Sequence, residues 1–145
     1  MTTWLSPHFA LEELIATEHR QFDNRPPPDV LVVLAETATH MEAVRHALGD
    51  RVISVSSGYR CPALNAAVGS APGSAHLTGH AVDFQCLNLG SPLEVARAIA
   101  RAGLAYDQLI HEFGRWVHIS FDPRLRRQIL TIDSQGVRAG LSPIR

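Results

Sequence analysis

Apolar residues recur along this chain in two distinct rhythms. Val30, Leu31, Leu34, Ala38, Met41, Val44 and Leu48 fall at three- and four-residue steps, which predicts a long amphipathic helix opened by Asp29 and ended by Gly49. Before it, Phe9, Leu11, Leu14 and Ile15 follow Ser6-Pro7, predicting a shorter helix with Ser6 as its cap and Pro7 at its first position. The two are separated by Asp23-Asn24-Arg25-Pro26-Pro27-Pro28, where the prolines force an extended stretch. Val52-Ile53-Ser54-Val55 has β character and leads into a turn at Ser56-Ser57-Gly58-Tyr59. Pro62 to Val68 allows one or two helical turns, and 69–79 reads as loop.

The second half changes period. Ala81-Val82-Asp83-Phe84 reads as a buried strand, and Ser91-Pro92-Leu93-Glu94 is a capping box opening a helix that Gly103 closes. Tyr106 to His111 and Trp116 to Phe121 are β-rich runs flanking Phe113-Gly114-Arg115, the pattern of a hairpin. After Arg124 one short apolar stretch, Ile129-Leu130-Thr131-Ile132, precedes a tail expected to fray. Helices first and strands later predict an α+β fold, with N-terminal helices packed on a small antiparallel sheet. No repeat or internal boundary is visible. A single domain spanning 1–145 is therefore expected, with a core of about 5–121 and a C-terminal extension, 122–145.

Composition narrows the function. Thirteen basic residues, all arginine, against fourteen acidic ones give a net charge of -1, so the whole-chain basic field expected of a nucleic-acid binder is missing. No apolar run reaches the roughly 18 residues of a membrane span, which argues against membrane insertion. The N-terminus lacks the basic start and apolar run of a secretory signal, so synthesis in the cytoplasm is expected; a monomeric state is the expectation for assembly. Cys61 and Cys86 are too few for a disulfide framework. They read as small buried side chains, with a bridge between them left open. Eight histidines in 145 residues point instead to a metal. His8, His19, His40 and His46 fall on segments read as helical, as surface or capping residues.

His76, Asp83 and His118 are the candidates that carry chemistry. Two imidazoles and a carboxylate, leaving one position open, form the ligand set of a catalytic zinc site, where the metal acidifies water and polarises a carbonyl. Taken singly, each is as well explained as a packed side chain. The ordered pattern Ser57-Gly58-Tyr59-Arg60-Cys61-Pro62 with Asn65, Ser74-x-His76-x-x-Gly79-x-Ala81-x-Asp83 and Trp116-x-His118 resembles the zinc D-alanyl-D-alanine carboxypeptidase family, relatives of lysostaphin-type peptidases and the hedgehog domain. Leu5-Ser6-Pro7-His8-Phe9 and Asp23-Asn24-x-Pro26-Pro27 are similar to the start of its small phage-type members.

The resemblance implies that His76, Asp83 and His118 bind one Zn²⁺ and that Arg60 faces the site, where a guanidinium can bind a carboxylate or a developing oxyanion. Ser57, Tyr59, Ser74 and Trp116 are candidate substrate contacts; the first three serve equally well to shape their turns. It implies hydrolysis of a peptide bond in the stem peptides of bacterial peptidoglycan, either D-alanyl-D-alanine or L-alanyl-D-glutamate. The place of action would be the cell wall, after lysis or holin-type release. The chain departs from the pattern at Arg115, which stands where better-known branches carry an acid three residues before the last histidine. A three-residue turn would set Glu112 opposite Trp116 and on the face of His118, making Glu112 the candidate general base. The competing reading makes Glu112 a surface charge at the turn and leaves the role to His111, which a one-residue change of turn would bring to this face, to Asp107 or to no residue. His80 reads as a loop residue or a hydrogen-bond donor to a ligand. The rival reading of Arg115 is a zinc-stabilised, non-catalytic module that binds cell wall or serves in a phage structure.

Overall fold

The computed structural model describes all 145 residues. Its centre is a six-stranded sheet in the order β3-β4-β6-β5-β7-β8, formed by β3 (Ser54–Ser57), β4 (Ala81–Gln85), β5 (Gln108–Glu112), β6 (Trp116–Ser120), β7 (Gln128–Asp133) and β8 (Gly136–Ala139). Alternation divides it into two faces. Val82, Phe84, Leu109, Val117 and Ile119 join the core formed with α2 (Pro28–Ala47) and α4 (Pro92–Ala102). Asp83, Ile110, Glu112, Trp116 and His118 share the opposite face, because Asp83 pairs with His118, Ile110 with His118 and Glu112 with Trp116.

The α+β class stands, but the sheet is mixed rather than antiparallel. β5 and β7 run parallel, from Gln108 beside Gln128 to Glu112 beside Ile132. The tail does not fray: residues 128–139 form β7 and β8, which pair antiparallel. The apolar run is visible in the sequence, whereas its partner β5 is a strand already paired with β6 on its other edge. Asp133, at the end of β7, is buried and accepts hydrogen bonds from Arg138 Nη1 (2.7 Å) and the backbone N–H groups of Gln135 (2.8 Å) and Arg145 (3.1 Å). The Arg138 bond first, and those backbone donors with it, draw its carboxyl down to about 2. A lowered folded-state value stabilises the fold above the unfolded value near 3.8 and loses that contribution as pH falls toward 2. Asp133→Asn is thus expected to lower the melting temperature at pH 7 and to flatten its decline between pH 4 and 2, as thermal scans at stepped pH would show.

The N-terminal end also differs from expectation. Ser6 does not cap a helix; β1 (Trp4–Ser6) and β2 (Phe9–Ala10) form a hairpin, and α1 covers only Leu11–Ile15. The cause is a distant carboxylate. Glu42 on α2 accepts bonds from Ser6 Oγ, His8 N–H and His8 Nδ1, each at 2.7 Å. α2 begins at Pro28, with Pro27 as its cap and Asp29 inside its first turn, since a proline at the first helical position loses no bond. β3 lies two residues later than its apolar run suggested, leaving Val52 exposed and bringing Ser56 and Ser57 into the strand. Leu31, counted in the apolar stripe of α2, is 38% exposed.

α3 (Pro62–Ala67) and α4 match the expected helices. Ser91 Oγ accepts the Glu94 N–H and donates to its carboxylate, each at 3.2 Å. His8 sits in the β1–β2 turn and His19 in the loop after α1, not on helices. His40, on α2, stacks against Phe121 with ring centroids 4.7 Å apart, while His46 meets Asp50 at 3.2 Å. Cys61 and Cys86 are both free.

Candidate metal centre

Each site residue is placed by a different piece of the fold. Asp83 and His118 are direct neighbours on β4 and β6, so sheet pairing alone sets their separation: His118 Nδ1 lies 2.9 Å from Asp83 Oδ1. His76 arrives on a 3₁₀ turn, Ala75–Thr78, capped by Ser74, whose Oγ accepts the His76 N–H at 3.2 Å. α2 anchors the end of that turn, with Thr37 Oγ1 donating to the Gly79 carbonyl at 2.7 Å.

The His76 ring is oriented by one strong bond. Its Nδ1 donates to the Gly58 carbonyl at 2.6 Å. A carbonyl only accepts, so the proton is on Nδ1 and the lone pair is on Nε2. That Nε2 is buried, has no hydrogen-bond partner and lies 3.3 Å from Asp83 Oδ1. An unpartnered buried lone pair next to a carboxylate is costly unless a cation joins them. The ligand atoms of His76, Asp83 and His118 lie within 4.8 Å of one another, and the three could hold a metal ion. Two nitrogens and one carboxylate oxygen suit zinc.

Charge in the cluster is balanced from the side. Arg60 donates from Nε to Ser57 Oγ (3.1 Å), from Nη1 to Asn65 Oδ1 (3.3 Å) and from Nη2 to Asp83 Oδ2 (3.3 Å). The guanidinium therefore occupies one carboxylate oxygen and leaves Oδ1 toward the histidines. Burial would raise the Asp83 carboxyl, but His76 and His118 outweigh it and hold the group well below the usual carboxylate range. For His76 burial prevails and favours the neutral ring. His118 is also penalised by burial, yet Asp83 and Glu112 together raise it.

Glu112 ends β5, and its Oε1 lies 3.7 Å from His118 Nδ1. Burial raises its carboxyl above the ordinary range. The three-residue turn that sets this register has Phe113 and Gly114 at φ of 55° and 68°, the left-handed geometry a tight hairpin requires. His111 is on the other face and meets the Ser142 carbonyl (3.1 Å), while Asp107 is held by Arg126. Neither joins the cluster. Arg115 stays in the turn, and His80 bonds Thr78 Oγ1 at 2.7 Å.

A cleft of about 660 Å³ opens beside Asp83, lined among others by Val55, Ser57, Arg60, Leu64 and Trp116. Two candidate substrate contacts lie elsewhere. Tyr59 is packed in the core, its N–H bonded to the Leu14 carbonyl at 2.7 Å, and Ser74 serves as the cap described above. Four contributors were not read as part of the site from the sequence. Asn24 bonds the carbonyls of Ile15 and Tyr59 and the N–H of Cys61, pinning the Arg60 segment. Glu18 and His19 reach the cleft from a loop without periodicity. Gly58, noticed only within the motif, is needed for its bareness: a Cβ there would stand 2.2 Å from the Leu14 carbonyl oxygen. Gly58→Ala is expected to cost about 1–3 kcal/mol, measured by urea unfolding, and to weaken zinc retention by displacing the carbonyl that orients His76.

Three convergent side chains that could hold a metal, a carboxylate beside them and a cleft bounded by Asp83 make up the kind of metal site used for hydrolysis. The model of the family described as peptidase M15 matches residues 7–120, and the chain belongs to that family. A zinc D-Ala-D-Ala carboxypeptidase from Streptomyces albus G is 45% identical over 48 residues, a stretch that covers 33% of this chain and 19% of that relative.

Proposed function

We propose that the protein is a zinc metallopeptidase that hydrolyses a peptide bond in peptidoglycan stem peptides, of the D-alanyl-D-alanine or L-alanyl-D-glutamate type. The observation that carries this reading is the inward, unpartnered Nε2 of His76 beside Asp83 and His118, with Glu112 at the edge of the same cluster. His76, Asp83 and His118 would hold the zinc. When bound, it supplies Lewis acidity toward a substrate carbonyl and toward water.

The remaining steps belong to the chain. Glu112 takes a proton from the attacking water on its carboxylate and passes it to the leaving amine, a role suited to a carboxyl whose affinity for protons burial has raised. Arg60, on the cleft wall, keeps Asp83 oriented and offers positive charge to the oxygen that becomes anionic. Ser57 and Trp116 line the entry for the peptide. Action on the bacterial wall after lysis or holin-type release is part of the same proposal.

Mass spectrometry of purified peptidoglycan fragments tests it. Incubation with zinc-loaded protein is expected to yield new peptide termini that vanish in an EDTA-treated aliquot, and their masses identify the bond. Intact fragments across walls of differing cross-link chemistry, with zinc held and wall material bound, would establish the non-catalytic binding module instead.

A further inference from the structure

β3 is the terminal strand of the sheet, with β4 as its one strand partner and α1 packed near it. None of Ser54, Val55, Ser56 and Ser57 is buried, and none of their backbone groups bonds to a segment outside the sheet. An edge strand left in this state is a template for another chain, and proteins usually blunt such edges with charge or proline. At the far side of the sheet β8 carries Arg138. β3 reads Ser-Val-Ser-Ser, with neither charge nor proline, and its register shifts between Val55 and Ser57. Irregularities of that kind collect beside active sites, where they re-aim a strand.

The open edge also leads to the site. Val55, Ser56 and Ser57 line the cleft that Arg60, Asp83 and Trp116 share, and Ser57 pairs directly with Asp83. We propose that the outer edge of β3 receives an extended peptide substrate as an added strand, which carries the bond to be cut to the His76–Asp83–His118 cluster. This rests on the peptidase reading and specifies how its substrate is held. Main-chain bonds to β3 supply the affinity. Leu64 and Val55 offer apolar contact along the way, and Arg60 meets a carbonyl or carboxylate at the inner end.

Two measurements test the added strand. Zinc-loaded protein is assayed with a synthetic stem pentapeptide and with peptides N-methylated singly at each amide outside the cleaved bond. Methylation at amides facing β3 is expected to lower kcat/KM at least tenfold, chiefly through KM, while the intervening amides tolerate it within about threefold. In parallel, zinc-loaded Glu112→Gln protein holding the intact pentapeptide is expected to show at least tenfold slower amide exchange at one or more of Ser54–Ser57. Cleavage with uniform tolerance of methylation, or bound peptide with unchanged exchange in β3, overturns the added strand and leaves the peptidase reading standing. Failure of the pentapeptide either to bind or to be cut overturns both.

Discussion

Asp83→Asn is expected to remove bound zinc and activity together. The carboxylate contacts two imidazoles and a guanidinium: Oδ1 faces His76 at 3.3 Å and His118 at 2.9 Å, and Oδ2 faces Arg60 at 3.3 Å. Asparagine keeps the volume but not the charge. Zinc affinity should fall by at least about 100-fold, more than the loss of an outer hydrogen bond would produce. Turnover should fall below detection. The fold suffers too, because Arg60 is left as a largely buried cation without its partner, at a cost of about 3 kcal/mol. Metal content after dialysis and the urea midpoint read the two effects separately. A variant that retained a full equivalent of zinc would sink the ligand assignment.

Glu112→Gln should separate chemistry from metal binding. The side chain stands 3.7 Å from His118, close enough to serve the reacting water, yet outside the three atoms that could hold the ion. The amide preserves shape and removes proton acceptance. A fall in kcat of about 10²–10⁴-fold is expected, the usual contribution of a positioned general base, with zinc content and melting temperature close to wild type. Activity within threefold of wild type would show that another group takes the proton. The sequence alternatives are poorly placed for that role, since His111 is bonded to the Ser142 carbonyl and Asp107 to Arg126.

What the sequence revealed of this site follows from locality. The β5–β6 hairpin could be read because strict alternation and a three-residue turn determine the register, and with it the common face of Glu112, Trp116 and His118. α4 was legible because its start and stop signals sit within its own residues. The N-terminal hairpin was not, since the carboxylate that holds Ser6 is 36 residues away on α2. Tyr59 stood within the family-like motif as a substrate contact or a turn-shaping residue; the bond from its N–H to Leu14 holds the chain there, and the ring packs in the core. The parallel pairing of β7 with β5 left no local trace, because nothing in Ile129–Ile132 tells which strand will receive it.

That parallel pairing has a consequence for the order in which the molecule can be completed during synthesis. His76, Asp83, Glu112 and His118 have all left the ribosome once Ser120 has emerged, and β3, β4, β6 and β5 can then form in one layer. β5 at that stage is an open, apolar border, Leu109 and Ile110 included, until β7 arrives. The metal cluster can therefore be assembled while the sheet is still unfinished on its other side. Metal taken up early would favour that partial sheet by mass action. A growing chain held at this length is where self-association is most to be expected, and where zinc supply would change the yield of folded protein.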